Sequence, residues 1–266
     1  MTLSLPQRLV SLVPSQTELL FDLGLDEELV GITKFCVHPA DKVASKPRIG
    51  GTKNVHLDRV AALQPTLIIA NREENTRADV EALQALAPVH VTDVITLPDA
   101  YAMIRDVGRL VGKAAEAEAL ASRIEQALTN VPGLRRRRGT SALPESAADQ
   151  SETARHPDRP RVAYLIWRRP WMVAASGTFI DAMLRQAGFQ NVFAHQTRYP
   201  VVTDDELAAA QPKQIFLSSE PYPFQDRHIA ELQALCPNAL IRLVDGELFS
   251  WYGSRLLKSA DYLTRL

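Results

Sequence analysis

Two tryptophans and two arginines crowd into one short stretch that could bind a ligand. This stretch, IWRRPWM at residues 166–172, follows the strand-like run RVAYLI and precedes the helix-like FIDAMLRQAGF. Aromatic faces hold flat, partly polar molecules, and neighbouring arginines bind carboxylate, phosphate or amide groups. We therefore predict that Trp167, Arg168 and Trp171 contact a ligand. Structural packing of the two indoles is the alternative.

His38, in FCVHP, is the candidate metal-binding side chain, because neutral imidazole is the commonest protein donor to a metal. A zinc site needs three or four donors, and the other histidines show no helical pairing with His38. We expect no metal site made by the protein alone. His38 is either an axial ligand to a metal carried inside a larger ligand or a hydrogen-bonded histidine. Cys36 and Cys236 leave both pairing and compartment open.

Sequence motifs typical of enzymes are missing. There is no GxSxG elbow, and GGTKN at residues 50–54 lacks the spacing of a phosphate-binding loop. Glu73, Glu74 and Glu220 could act as general acids or bases, but an internal repeat places them at equivalent loops rather than as a facing pair. We therefore predict a binding protein without catalysis.

Composition limits the classes of partner. The chain has 266 residues, 46% hydrophobic content and a formal net charge of -1. This length can bury a sizeable core, and the small charge gives no field that would gather nucleic acid. No apolar run approaches the ~18 residues of a membrane span, so we predict that this is not an integral membrane protein. The first residues lack a signal-peptide pattern, which leaves a cytoplasmic location open.

An internal repeat organises the sequence. LDRVAALQPTLIIANRE (residues 57–73) aligns without a gap to DDELAAAQPKQIFLSSE (residues 204–220). Each copy predicts a short helix, a Gln-Pro stop and a buried strand. Earlier helices end at Gly24 and Gly188, where glycine supplies a left-handed cap. One αβ unit is therefore used twice.

Alternating strands and helices predict an α/β fold of two similar lobes with mainly parallel sheets. We predict an N-terminal lobe (1–113), a connecting helix (114–137), a flexible loop (138–160) and a C-terminal lobe (161–266). The helix rests on a 3.6-residue apolar period, and the loop on a lack of one. Ligands of such folds bind beyond the carboxyl ends of the strands, which favours a cleft between the lobes.

These motifs in this order resemble the substrate-binding proteins of ABC importers for vitamin B12 and iron complexes. The resemblance rests on SLVPSQTELLFDLG, GITKFCVHP, LDRVAALQPTLIIA, GTFIDAMLRQAGFQNVF and LAAAQPKQIFLSS. It runs from about Arg8 to the C-terminus, interrupted by residues 138–160. It implies two α/β lobes on one long backbone helix, a ligand held between the lobes, and a periplasmic location.

The resemblance also implies a ligand site on loops of both lobes. By position it points to Phe35, His38, Trp167, Trp171, Tyr199, Trp251 and Tyr252, and we add Arg168, Asn71 and Arg72 from loops at strand ends. Cobalamin or another corrinoid is the expected ligand because the loops are rich in aromatic residues. An iron-siderophore or haem is the next candidate, because arginines suit an anion.

The expected partner is an ABC permease dimer with its ATPase. The resemblance implies one acidic docking residue on each lobe. Asp205 matches the second lobe, whereas Arg77 stands at the first-lobe position, with Glu73 and Glu74 nearby. We expect a monomer. The alternative is a cytoplasmic protein or enzyme that handles a corrinoid or metal chelate.

Overall fold

Strands and helices alternate along the chain. The computed structural model describes residues 7–131 and 159–266. In the first range the strands are β1 (Leu9–Ser11), β2 (Leu29–Ile32), β3 (Gly50–Gly51), β4 (Asn54–Val55), β5 (Leu67–Asn71) and β6 (Val89–Thr92). The helices there are α1 (Pro14–Asp22), α2 (Ala40–Val43), α3 (Leu57–Ala62), α4 (Arg77–Leu83), α5 (Leu97–Leu110) and α6 (Ala114–Thr129).

The second range has the same alternating character. Its strands are β7 (Arg161–Trp167), β8 (Trp171–Val173), β9 (Gln190–Asn191), β10 (Val201–Val202), β11 (Gln214–Ser218) and β12 (Leu240–Val244). Its helices are α7 (Phe179–Gln186), α8 (Asp204–Ala209), α9 (Arg227–Leu235), α10 (Glu247–Ser250) and α11 (Leu256–Leu263). The predicted α/β fold class is confirmed.

The chain divides into two compact units. The first unit holds the described residues up to Val94, together with Pro98–Glu125 and Trp251–Leu256. The second unit holds Ile95–Leu97, the described residues from Gln126 to Ser250, and Leu257–Leu266. Residues 251–256, called the C-terminal segment below, thus belong to the first unit although they fall within the predicted C-terminal lobe.

Each unit is built on a sheet with a parallel centre. The first sheet has the order β2-β1-β5-β6, and every neighbouring pair is parallel. The second has the order β10-β8-β7-β11-β12, with β9 also paired to β7. In it β7, β9, β11 and β12 pair in parallel, whereas β8 runs antiparallel to both β7 and β10. The central strands are buried apolar runs, as a sheet covered on both faces requires.

Helix α6 begins where the predicted connecting helix begins and is continuous to Thr129. Its apolar period keeps Ala117, Ala121, Ile124 and Leu128 buried on one face. Residues 132–137 of that prediction lie outside the described residues, as does most of the predicted loop 138–160.

The repeat is visible in backbone detail. Helix α3 and strand β5 correspond to helix α8 and strand β11, and the glutamine of each Gln-Pro pair has φ 46°. A non-glycine residue rarely adopts this left-handed conformation. The same turn is therefore built twice, at Gln64 and Gln211, and the predicted correspondence between the two copies is confirmed.

The predicted helix stops at Gly24 and Gly188 are also left-handed, with φ 77° and 88°. A Cβ added at Gly24 would meet nothing within 4 Å, so backbone strain alone opposes a side chain there. We expect Gly24→Ala to lower the free energy of unfolding by about 1 kcal/mol. Gly24→Asn, which tolerates this conformation, should lose less. Urea denaturation of both variants tests this, and an equal loss in both would contradict the strain argument.

Candidate ligand-binding loops

The loop that carries Phe35 and His38 follows β2 in the first unit. The Arg48 side chain hydrogen-bonds to the backbone of this loop. Nη1 donates to the carbonyl oxygens of Thr33 (2.9 Å) and Cys36 (2.8 Å), and Nη2 donates to that of Val43 (3.1 Å). Bonds from a charged donor are the stronger kind of hydrogen bond. One arginine therefore fixes both ends of the loop.

Cys36 anchors the same loop from inside. Its side chain is fully buried, and its Sγ lies 3.1 Å from Thr17 Oγ1 and 3.3 Å from Thr33 Oγ1. Burial raises the pKa of the thiol, so it stays protonated. Cys36 and Cys236 are both free in the structure.

Phe35 stands at the exposed tip of this loop. Half of its surface, 50%, is accessible. A Cβ added at Gly51 would lie 3.3 Å from its ring, and Lys34 Nζ is 5.0 Å from the ring centroid. The ring therefore contacts the β3–β4 hairpin while half of its surface remains accessible.

His38 meets the C-terminal segment. Its ring lies 5.5 Å from that of Trp251 in an edge-to-face arrangement with an interplanar angle of 70°. Trp251 is buried, and Arg255 Cζ lies 4.7 Å from its ring centroid. The two predicted site residues are thus brought together within the first unit, where a cation also covers the indole.

A buried ion pair fastens the C-terminal segment to α1. Arg255 donates through Nε and Nη2 to the two carboxylate oxygens of Glu18, at 2.7 and 3.0 Å. The side chains are only 7% and 6% exposed. Next to the pair, a Cβ added at Gly253 would lie 2.9 Å from the backbone oxygen of Ser15, so the segment approaches α1 as closely as glycine permits.

The side chain of Asn71, a predicted ligand contact, makes hydrogen bonds within the first unit. It is buried, its Nδ2 donates to the Thr92 backbone oxygen at 3.1 Å, and its Oδ1 accepts from the backbone N–H groups of Glu73 and Glu74. Glu74 in turn accepts from Tyr252 Oη at 3.3 Å. Asn71 therefore shapes the loop that presents the two glutamates.

Arg72 is the exposed member of this loop. Its Nη1 forms an ion pair with Asp93 at 2.9 Å, and its side chain is 77% exposed. An exposed pair of this kind contributes little stability. The guanidinium therefore stays available to another anion.

In the second unit the stretch WRRPWM forms a β-hairpin rather than a loop that leads directly to a helix. Trp167 ends β7 and Trp171 begins the antiparallel strand β8, with Trp167 opposite Met172. Neighbouring residues on a strand point to opposite faces, so Met172 and Trp171 separate. Trp167 is 40% exposed, whereas Trp171 is 7% exposed.

Trp171 belongs to the core of the second unit. Its ring stacks with that of Phe224 at 6.5 Å and 14°, among apolar side chains that include Leu165 and Val173. Its indole Nε1 donates to Asp204 Oδ1 at 2.7 Å. These contacts favour packing, the alternative that the sequence left open for this tryptophan.

Trp167 lies beside Tyr222, at 5.6 Å between ring centroids. Next to them Arg168 makes a two-pronged ion pair with Glu231 of α9, at 2.7 and 2.9 Å, which holds the pKa of Glu231 below its usual value. Arg168 is thereby occupied. His228 lies 5.5 Å from Tyr222, and burial lowers its pKa, with nearby Arg227 and Arg168 adding to this.

Tyr199 lies further along the second unit. Its half-buried ring is 5.6 Å from Arg198 Cζ, and Arg198 Nη1 donates to the Gly177 backbone oxygen at 3.0 Å. Arg198 has φ 64° and Arg169, in the hairpin turn, has φ 61°. Strained backbone of this kind is often found in binding loops.

Asp205 lies exposed in the first turn of α8. Thr203 caps that helix in a capping box with Glu206. Acidic side chains near a helix N-terminus are electrostatically favourable, so the Asp-Asp-Glu run also has a structural explanation.

Sequence reasoning missed several residues that build these loops. Tyr222, Phe224 and His228 form an aromatic cluster behind Trp167 and Trp171. The run SSEPYPF at the end of a predicted strand was a usable signal for the first two. Arg255 had no local signal, because its partner Glu18 lies 237 residues away.

The described residues contain no group of three or more His, Cys, Asp and Glu side chains placed to hold a metal ion. Across the same ranges, no helix combines the length and apolar character needed to cross a bilayer.

Comparison with known proteins supports the sequence resemblance. A periplasmic binding protein family profile matches residues 9–132. The vitamin B12-binding protein of Pectobacterium atrosepticum is 25% identical over 265 residues, covering 98% of this chain and 88% of the relative. An uncharacterized ABC transporter substrate-binding lipoprotein of Bacillus subtilis is 26% identical over 213 residues, or 79% of this chain and 63% of that protein.

The fold is that of known structures of this class. The periplasmic heme-binding protein of Roseiflexus sp. RS-1, in its apo form, superposes with a TM-score of 0.75 at 22% identity, covering 97% of each chain. The resemblance to substrate-binding proteins of ABC importers is therefore confirmed. The relatives named above are binding proteins rather than enzymes.

We expect loss of the buried ion pair to destabilise the protein. Glu18→Gln leaves Arg255 buried without its countercharge and should lower the free energy of unfolding by about 3 kcal/mol. Glu18→Met combined with Arg255→Met leaves no buried charge and should lower the free energy of unfolding by less than Glu18→Gln does. The matched control is Glu81→Gln, which removes the exposed pair with Arg77 and should cost less than about 0.5 kcal/mol. Chemical denaturation measures all three variants, and equal losses at the buried and exposed sites would refute the argument.

The two tryptophans of the hairpin should behave differently. Trp171→Ala empties a core position and should lower the free energy of unfolding by about 3 kcal/mol, whereas Trp167→Ala should lose less than about 1 kcal/mol. Asp204→Ala removes the hydrogen bond to the indole and one favourable charge in the first turn of α8, and its loss should fall between those of the two tryptophan variants. Urea denaturation gives these values, and similar losses for both tryptophans would contradict the assignment.

Proposed function

We propose that this protein is the substrate-binding component of an ABC importer and that it captures a metal-bearing macrocycle or chelate without chemical change. The observation that carries the proposal is the similarity to a vitamin B12-binding protein over 98% of the chain. Exposed aromatic side chains support it, since Phe35 follows the parallel strand β2 and Trp167 is the last residue of β7.

Aromatic area suits a corrinoid or haem. Burying about 200 Å² of ligand on one aromatic wall gives about 5 kcal/mol at about 25 cal/mol/Å². A nanomolar complex needs about 12 kcal/mol, so aromatic side chains of both units would have to contribute. The predicted position of the ligand between the lobes stays a prediction.

A corrinoid is the preferred ligand, and haem or a ferric siderophore the second. Phe35, Trp167 and Tyr222 offer flat apolar surface, whereas Arg168 is occupied by Glu231. Arg72 and Arg169 are exposed arginines on candidate loops and would pair with an acidic group of a ligand. His38 would serve as an axial donor if the ligand carries an open metal position.

The proposed partner is a permease dimer with its ATPase, reached through Asp205 on the second unit and Glu73 or Glu74 on the first. We propose a monomer that works in the periplasm. Fractionation of native cells with an antibody to the untagged protein tests the location, and recovery in the cytoplasm would instead favour a protein that handles the cofactor there.

Calorimetry with cyanocobalamin, cobinamide, hemin and ferrichrome tests the binding function. We expect one of the four to bind tightly, and Trp167→Ala and Phe35→Ala each to weaken it by about 1–3 kcal/mol. Leu240→Ala is the control, since Leu240 is 50% exposed and is the first residue of β12, at the opposite end of its strand from the candidate loops. No binding of any compound, or unchanged affinity in both aromatic variants, would reject the proposal.

Two further readouts separate the possible roles. If hemin binds, His38→Ala should change its absorbance spectrum as well as its affinity, because a ligand to iron alters the electronic bands and a packing residue does not. Mass spectrometry of the bound compound after incubation should return it unchanged, and a modified product would reveal an enzyme.

A further inference from the structure

The second unit contains a cavity of about 330 Å³ at the amino ends of its parallel strands. Arg161 begins β7, Lys213 precedes β11 and Ala239 precedes β12, and all three line the cavity. The candidate ligand loops follow the carboxyl ends of the same strands. The cavity is therefore separate from those loops, and its size lies at the lower end of the range for small-molecule sites.

One wall of the cavity is apolar and rigid. Leu235, the last residue of α9, forms it together with Cys236 and Pro237. The Gln233 side chain fixes this turn, because its Nε2 lies 3.2 Å from the Cys236 oxygen, 2.9 Å from the Pro237 oxygen and 3.2 Å from the Ala239 oxygen. Burial raises the pKa of the Cys236 thiol, which keeps it neutral. A wall held in this way needs no ordering when a ligand binds.

Two positive charges face this apolar wall. Arg161 and Lys213 line the cavity, and none of the described lining residues is acidic. Among the described residues, the Arg161 side chain donates one bond, from Nη2 to the Ala210 oxygen at 2.7 Å, and a guanidinium has further donors. Within the described ranges neither cation has a carboxylate partner. The ends of α8 and α9 each contribute about half a negative charge at most, so the two cations outweigh them.

The repeat shows that Lys213 is not needed for the turn. In the first unit Arg8 Nε donates to the Leu63 oxygen at 2.8 Å, which matches the bond from Arg161 to Ala210. The position that matches Lys213 is Thr66, whose Oγ1 accepts from the Arg8 backbone N–H at 2.9 Å. Thr66 therefore bonds to the backbone of the neighbouring strand, whereas Lys213 at the matching position places an ammonium group beside a cavity.

Two hydrogen bonds fix the backbone of Lys213. Lys213 N donates to the Arg161 oxygen, and Lys213 O accepts from Leu240 N, both at 2.9 Å. The residue is therefore fixed between two strands while its exposed side chain remains free to reach a ligand.

We propose that this cavity binds a small carboxylate with an apolar tail, with Lys213 and Arg161 pairing to the carboxylate and Leu235, Cys236 and Pro237 covering the tail. Charge-assisted bonds from two cations would supply specificity for the anion. The fixed apolar wall would supply most of the buried area.

Titration of octanoate into the isotope-labelled full protein, followed by amide NMR shifts, tests this site. We expect saturable shifts at Lys213, Asn238 and Ala239 with a Kd below about 1 mM. Lys213→Gln should raise the Kd at least fivefold, and Lys213→Arg should restore most of the affinity. Octan-1-ol, which has the same tail without the charge, should bind at least fivefold more weakly than octanoate.

Lys53→Gln is the matched control, because it removes an exposed lysine in the first unit and should leave the Kd unchanged. Three results would each overturn the proposal. These are shifts that do not saturate or that centre on residues 167–172, equal binding of octanoate and octan-1-ol, and an unchanged Kd in Lys213→Gln. The unfolding midpoint of each variant confirms that a lost signal reflects binding rather than folding.

Discussion

The ion pair between Glu18 and Arg255 holds together the contacts around Trp251 and His38 in the first unit. It is buried, and it lies at the centre of contacts that include Gly253 against α1 and Arg255 over the Trp251 ring. Trp251 in turn contacts His38, whose loop is tied down by Arg48. A buried pair is weak evidence for stability, but it specifies one arrangement because alternatives leave a charge unpaired. Here that arrangement fixes an imidazole and an indole.

In the second unit, strand pairing rather than a buried ion pair fixes the positions of the aromatic side chains. The tryptophan hairpin places one indole outward and the other in the core, because adjacent positions on β8 face opposite ways. The inward indole also bonds to Asp204 at the start of α8. As a result, the outward Trp167 stands on a base fixed by strand hydrogen bonds, by Phe224 and by the Arg168–Glu231 pair.

Local pattern was enough to predict much of the fold. The αβ repeat, the glycine helix stops and the start of the long helix follow from spacing that the chain itself displays, since each depends on residues close in sequence. The roles of individual residues were harder to predict from the sequence. WRRPWM showed its aromatic content but not the sharp turn that separates its two tryptophans. Asn71 is of a residue type that often contacts ligands, yet its side-chain amide hydrogen-bonds to Thr92 and to the backbone N–H groups of Glu73 and Glu74.

The C-terminal segment has a consequence for how the chain matures during synthesis. Domains commonly fold as they emerge from the ribosome, N-terminal part first. The first unit contains β1 to β6, but Trp251 and Arg255 reach it from the far end of the polypeptide. Until residues 251–256 have been synthesised, the contacts of this segment with Glu18 and His38 cannot form. The first unit would therefore complete its packing around Glu18 and His38 only after residues 251–256 have left the ribosome, although all the strands of its sheet are made much earlier.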